Sequence, residues 1–345
     1  MSSDITYCMK QRGFRYCSTC KHKLQKWGRT NAGTSRWRCS SCTSTCIRAR
    51  PDLSKSLLLE RFVNWLLGKQ SQEELGVAAR TWRAQTAWCW QVAPKPILSG
   101  EVYPILLLDG IRVGNLVCLI ARTPQYVVSW CWALYEAGTT WDKLLSTLPT
   151  PTVVVCDGQK GILVSIARNW PTAQIQRCHF HVWQNVRNKL TLFPQTEAGK
   201  YLLLLTKILL KGLHAQEDVI RWQSKLEVWE ELHGDFIRER TVNPNPRPGQ
   251  RKWRYSHERL RSAHRQLSKL VRDQQLFTYL DSGLLTQTNQ QPIPRTTNYL
   301  EGGINSQLRT KLKLHRGMKE EHQRRLVEWY LYTRTESPKP TRNCR

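Results

Sequence analysis

The chain has 345 residues, with 53 Lys and Arg against 26 Asp and Glu, a formal net charge of +27. Such a length accommodates two or three domains with cores of their own, and an apolar fraction of 40% excludes a disordered tail. The positive surplus favours a polyanionic partner, because each phosphate neutralised releases condensed counterions; membranes and acidic proteins also attract basic chains, but usually through one short polybasic run.

Membrane association is not expected. The longest apolar runs, Leu57–Leu67 and Tyr201–Leu210, are short and broken by Glu60, Arg61, Asn64 or Lys207. Met1–Lys10 has no apolar h-region, so an unexported chain is expected. Twelve Cys in such a chain point to a reducing compartment, where paired Cys bind metal more often than they crosslink.

Residues 1–50 are rich in Cys, Ser and Arg and poor in aliphatics, with 11 Lys/Arg against Asp4 alone. Cys17-Ser-Thr-Cys20 and Cys39-Ser-Ser-Cys42 are two CxxC pairs separated by 18 residues. Two such knuckles offer the four thiolates that one Zn²⁺ prefers, and metal binding would supply folding free energy that the small core lacks. Cys8 and Cys46 are spare thiols, while Cys89, Cys118, Cys131 and Cys156 read as small apolar packing. Lys21, Lys23, Lys26, Arg29, Arg36 and Arg38, with Trp27 and Trp37 among them, suit a phosphate backbone or a merely solvated ribbon.

Residues 51–98 read as a helix-turn-helix. Leu53–Leu67 has apolar residues at 57, 58, 62, 65 and 66 and stops at Gly68; Ser71-Gln-Glu-Glu74 is a capping box opening a second helix. Leu75-Gly76-Val77 turns into a third helix over Ala78–Trp90. Arg80, Thr81, Arg83 and Gln85 lie on its early turns, where a recognition helix reaches base edges.

From residue 104 the pattern changes to strands. Pro104–Asp109 is an apolar strand ending in a carboxylate; Asn115–Arg122 and Gln125–Tyr135 are two more, followed by a helix at Thr140–Leu148. Thr152–Asp157 is a second buried strand ending in a carboxylate, then come a helix through Ala167 and a fifth strand at Ala173–Arg177. This βββαβαβ order suits an RNase H-like α/β sheet in which Asp109 and Asp157 lie side by side. Each Asp-Gly is also ordinary turn chemistry. Thr241–Gln250, with three Pro, forbids regular structure. Arg238–Arg272 holds 11 Lys/Arg, including Arg251, Lys252 and Arg254, and reads as a DNA-backbone surface or a solvated helix face. Glu301 falls in the first turn of a further helix, where Asn298-x-x-Glu301 also fits a capping box; residue patterns leave both readings open.

Taken together, Asp109, Asp157, Cys178-His-Phe-His181, the stretch TTNYLEGGINSQL and His315-Arg-Gly317 resemble the DDE transposases of the Mutator-like superfamily, in the bacterial insertion-sequence branch with an N-terminal zinc ribbon. The resemblance spans roughly residues 15–330. It implies a zinc ribbon over 1–50, an RNase H-like catalytic core over 101–190 and 293–335, and a helical insertion over 191–292. It also implies cleavage and strand transfer at Asp109, Asp157 and Glu301 with two Mg²⁺ or Mn²⁺ ions and no covalent enzyme intermediate; Tyr299 reads as packing. Cys178 and His181 would form a motif beside the active site, structural or DNA-positioning, and His315 and Arg316 are counted with the DNA contacts. The partners implied are transposon terminal inverted repeats, target DNA and a second copy in a synaptic complex, at a bacterial nucleoid. The alternatives are an RNase H-like nuclease such as a resolvase, and a non-catalytic DNA-binding regulator. The intact acids argue against the regulator, and the insertion with its two N-terminal modules argues against the resolvase.

Overall fold

The computed structural model describes residues 10–11, 14–17, 20, 22–31, 33–47, 51–245, 247, 249, 252–297 and 303–338. The chain divides into two compact units, one from Met1–Ala93 with Lys339–Arg345, the other Pro94–Pro338.

The first unit begins with β1 (Lys10–Gln11) paired antiparallel to β2 (Phe14–Arg15). A three-stranded antiparallel sheet follows, β3 (Leu24–Arg29), β4 (Ser35–Cys39) and β5 (Thr45–Ile47), in that order. Its core is little more than Leu24 and cysteines, as expected of a module too small to bury much apolar area. α1 (Pro51–Leu67) buries Leu59, Phe62, Val63 and Leu66. Phe62 and Leu66 are in the expected stripe, Leu59 and Val63 complete it, Leu58 and Trp65 are half-buried, and Leu57 stays exposed. Ser71 and Glu74 do exchange hydrogen bonds, Ser71 N donating to Glu74 Oε2 at 2.9 Å and Glu74 N to Ser71 Oγ at 3.4 Å. The element they open is only a 3₁₀ turn, Glu73–Leu75, because Gly76 at φ 64° ends it at once. α2 (Ala79–Thr86) then buries Trp82, which meets Trp65 edge-on at 5.8 Å, and a further 3₁₀ turn covers Ala87–Gln91.

In the second unit, β6 (Ile105–Val113), β7 (Leu116–Arg122) and β8 (Val127–Ala133) form an antiparallel meander. α3 (Gly138–Leu145) leads to β9 (Val153–Cys156), α4 (Lys160–Asn169) and β10 (Gln174–Arg177). The sheet order is β10-β9-β6-β7-β8, with β9 parallel to both of its neighbours, so the fold is mixed α/β with a mixed sheet. Alternate strand residues face opposite sides. Leu106, Leu108, Val154 and Cys156 pack on Trp141, Leu144, Ile162 and Ile166 of α3 and α4, while Ile105, Leu107, Val153 and Val155 pack on Ile293.

α5 (His179–Leu190), α6 (Glu197–Lys211), α7 (Gln216–Arg238) and α8 (Glu258–Arg272) share a second core. Two tryptophans there satisfy their ring N–H on α6 carbonyls, Trp222 on Leu205 and Trp229 on Ala198, both at 2.9 Å. Between α7 and α8 the chain makes an unexpected antiparallel hairpin, β11 (Arg240–Val242) with β12 (Trp253–Tyr255). Thr241 and Val242 are therefore strand residues, and Pro244 falls in the hairpin's connection. α9 (Ser282–Gln287), α10 (Ile304–Leu314) and α11 (Glu320–Tyr332) complete the unit. α11 is pinned to the sheet where Trp132 Nε1 donates to Glu328 Oε1 at 2.9 Å. No described helix is long and apolar enough to cross a membrane.

Candidate functional site

Four sulfurs gather where two turns of the first unit face each other. The ligand atoms of Cys17, Cys20, Cys39 and Cys42 all lie within 4.8 Å of one another. Cys17 Sγ is 3.4 Å from Cys42 Sγ, and Cys20 Sγ is 3.3 Å from Cys39 Sγ. A tetrahedral zinc with bonds near 2.3 Å separates its sulfurs by roughly 3.8 Å, so this group could hold one zinc ion after a small expansion. Cys46 is not the spare thiol expected: it is disulfide-bonded and stands outside the four-sulfur group. Cys8 lies outside the described residues. On the same module, Arg38 stacks over the exposed ring of Trp27 at 4.6 Å.

Asp109 and Asp157 come together through the β6–β9 pairing. The parallel register ends at Leu107↔Val155, so Asp109 and Asp157 each sit two residues beyond that pair. Asp109 is not at a strand end, as expected from sequence, but within β6, which continues to Val113 because β7 still pairs with it. Its carboxylate is tied at both oxygens: Gly110 N donates to Oδ1 at 2.9 Å and Asn305 Nδ2 to Oδ2 at 2.9 Å. Burial, then the charge of Asp157, raises the Asp109 carboxyl above its usual range, against the pull of His181 and Arg122. The Asp157 carboxylate accepts from Gln159 N at 3.0 Å, in a turn where Gly158 has φ 70°. Any side chain at Gly158 would also collide with the Arg177 guanidinium, whose Nη2 donates to Asp157 O at 2.8 Å.

A third carboxylate stands in the same neighbourhood. Glu136, between β8 and α3, is half-buried, and burial followed by the charges of Asp157 and Asp109 raises its carboxyl. Hard oxygen donors with net negative charge are what Mg²⁺ and Mn²⁺ take. Burial is the larger cause of the elevated Asp109 carboxyl, and a divalent ion held there would favour its charged form.

Cys178 occupies the N-cap position of α5, and its sulfur meets Thr296 and Thr297 more than a hundred residues later. Thr297 N and Thr297 Oγ1 lie 3.3 and 3.5 Å from Cys178 Sγ, and Thr296 Oγ1 lies 3.3 Å from it. Burial works against ionisation of this thiol, but His181 and the two threonines outweigh it and bring it down to about 7. Burial likewise opposes charge on His181, yet Cys178, Asp109 and Asp157 raise it to about 9. The pair therefore favours thiolate and imidazolium, although His181 Nδ1 is buried without a hydrogen-bond partner among the described residues.

Glu301 lies outside the described residues, as do Tyr299 and Arg251. Its described neighbours are both held at the Asp109 strands. Thr297, four residues before it, gives its carbonyl to Arg122 Nη2 of β7 at 2.8 Å, and Asn305, four residues after it, holds Asp109. Of the expected DNA contacts, Arg80, Thr81, Arg83 and Gln85 are all exposed on α2, Lys252 and Arg254 are exposed at β12, Arg316 is exposed, and His315 is half-buried at the end of α10. The β11–β12 hairpin adds a basic and aromatic ladder, with Arg240 4.0 Å over Trp253 and Arg261 4.0 Å over Tyr255.

Sequence reasoning passed over Glu136, Arg122 and Arg177, and named Asn305 only as part of a longer block. Nothing local marks Glu136, a lone acid beside two exposed residues. Arg122 and Arg177 are buried arginines at strand ends, a rare enough placement to have been a signal.

Residues 125–238 match the family model described as Transposase, Mutator family. The matched segment contains Glu136, Asp157, Cys178 and His181, while Asp109 and Glu301 fall outside it. No curated protein matches the chain.

Proposed function

We propose, from the match of residues 125–238 to the Mutator-family transposase model, that the chain is a DDE transposase that cuts element ends and joins them to target DNA. The observation that carries this reading is the placement of Asp109 and Asp157 beyond the last paired residues of adjacent parallel strands. The sheet order β10-β9-β6-β7-β8 supports an RNase H-like core. The branch we assign is the bacterial insertion-sequence type with a zinc ribbon, working on DNA at the nucleoid as a homodimer or larger synaptic complex.

In this reading Asp109, Asp157 and Glu301 hold two divalent ions. Those ions would supply Lewis acidity to the scissile phosphate and lower the pKa of the attacking hydroxyl or water. Asn305 and Gly110 fix both oxygens of Asp109, so the carboxylate reaches its ions already oriented. Arg177 and Gln159 hold the Asp157 turn in the same way. Cys178 and Arg122 fasten Thr296 and Thr297, the described residues just before Glu301.

The reaction has two displacements. Water attacks phosphorus at the element end, the P–O3′ bond breaks, and the 3′ oxygen leaves as a hydroxyl once protonated. That hydroxyl then attacks a target phosphate, forming one P–O bond while another 3′ oxygen departs. No protein nucleophile enters either step. Residues 1–50 and 51–98 would recognise the ends, with Arg80, Thr81, Arg83 and Gln85 on base edges. The insertion, with Arg251, Lys252 and Arg254, and the His315-Arg316 turn would hold the backbone. The test is incubation of the full chain with Mg²⁺, labelled duplexes from the DNA flanking its gene, and supercoiled plasmid. Joined products are expected; nicked ends without joining would point instead to a nuclease.

A further inference from the structure

Glu136 is a carboxylate without a partner among the described residues, placed between Gly110 of β6, next to Asp109, and the first turn of α4, which follows Asp157. Among the described residues its side chain makes no hydrogen bond and no ion pair, although it is half-buried. Such a group is costly to bury unless a cation answers it.

Two glycines make room for it. A Cβ built on Gly110, the residue after Asp109, would lie 2.6 Å from Glu136 Oε1 and 2.9 Å from its Cδ. Gly110 has no positive φ, so the backbone does not require glycine there; the approaching carboxylate does. On the other side, a Cβ on Gly161, four residues after Asp157, would lie 2.8 Å from Glu136 O and 3.1 Å from Gly138 N. The backbone of Glu136 is thus seated on the first turn of α4, and its carboxylate on the strand that carries Asp109. These two close approaches come from different elements and converge on the same residue.

We propose that Glu136 is a further cation-holding carboxylate of the active site, acting with Asp109 and Asp157 on the divalent ions or on water bound to them. The inference rests on the metal-dependent reading above. Among the described residues, the four cysteines are the one group of three or more His, Cys, Asp or Glu side chains close enough to hold an ion, and the three carboxylates stand further apart than that. Three like charges left to themselves stay apart, and a divalent ion supplies the attraction that draws carboxylates inward. Arg112 and His181 are the cations that bear on Glu136, and both bear on it less than the two aspartates do.

The test is Mn²⁺ binding to the full chain, counted by electron paramagnetic resonance, on wild type and on Glu136→Gln, Asp157→Asn and Gly110→Ala. Wild type should bind Mn²⁺ in a way that Asp157→Asn weakens; if it does not, the metal-dependent reading itself fails. With that control satisfied, Glu136→Gln is expected to weaken Mn²⁺ binding by about tenfold or more, as loss of metal-site groups does. Wild-type binding by a folded Glu136→Gln protein overturns the proposal while leaving the site at Asp157 intact. Should Glu136→Gln fail to fold, Gly110→Ala decides, because its methyl displaces the Glu136 carboxylate without removing it. Weakened Mn²⁺ binding by that variant supports the assignment, and unchanged binding refutes it.

Discussion

Asn305 holds Asp109 across 196 residues of sequence, its Nδ2 donating to Oδ2 at 2.9 Å from the first turn of α10. A neutral amide can orient a carboxylate without competing for the cation that the carboxylate binds. Asn305→Ala frees that oxygen, and Asn305→Asp sets a like charge against it. Both should slow Mg²⁺-dependent cleavage by about 10–100-fold, the usual effect of removing a group that orients a metal ligand, with DNA affinity unchanged. Single-turnover cleavage over a Mg²⁺ series measures this, and wild-type rates from Asn305→Ala throughout would remove Asn305 from the site.

Asp109→Ala, Asp157→Ala and Glu301→Ala should each bring cleavage to background while end binding persists. Carboxylates that only hold ions contribute little to the grip on DNA, which rests on phosphate contacts elsewhere. Parallel cleavage and gel-shift assays make the comparison. Appreciable cutting by any one variant excludes that residue from the triad.

Metal analysis of the purified chain should find one zinc, lost from Cys17→Ser and from Cys39→Ser. Both thiols are buried in the four-sulfur group, so the fold of this module should loosen with the metal, visible as faster proteolysis before residue 50. A protein that stays zinc-free yet keeps residues 10–47 protected from protease contradicts the zinc assignment.

The Cys178–His181 pair predicts a pH window. His181 is raised to about 9, so its contribution is full below its ordinary 6.5 and lost as pH rises through about 9. Cys178 is lowered to about 7, so its contribution is full above its ordinary 9.0 and lost as pH falls through about 7. The charged pair therefore occupies the interval from about 7 to about 9. The melting-temperature difference between wild type and Cys178→Ser should be largest inside that interval and shrink on both sides. A difference that stays flat with pH would mean that the pair carries no charge.

Deleting residues 1–95 should abolish preference for element ends but leave weak binding that falls steeply with salt. Residues 101–190 keep 8 Lys/Arg against 5 acids, and Arg238–Arg272 keeps its 11 basic residues. Base discrimination should go with Arg80, Thr81, Arg83 and Gln85. A competition titration on end DNA against scrambled DNA reads both quantities. Retained preference would assign sequence reading to the insertion or the core.

Local chemistry was legible from the residues alone. The two CxxC pairs announced a four-sulfur group because each pair is a turn only four residues long. The five sheet strands appear within a few residues of where apolar runs placed them, since buried strands need such runs. The β11–β12 hairpin was hidden because proline argues against strands locally, yet Pro244 lies outside both strands.

The sequence by itself determined the two CxxC turns, the succession of the five sheet strands, and the two aspartates that close apolar runs. Tertiary structure alone decided what surrounds those acids. That Asp109 lies within a strand follows from how far β7 pairs beyond β9, and no periodicity within β6 encodes a partner's length. Asn305 on Asp109, Arg122 on Thr297 and Glu136 against Gly110 join residues 26 to 196 positions apart. Such contacts depend on the packing of whole elements, whereas sequence patterns report only on neighbours a few residues away.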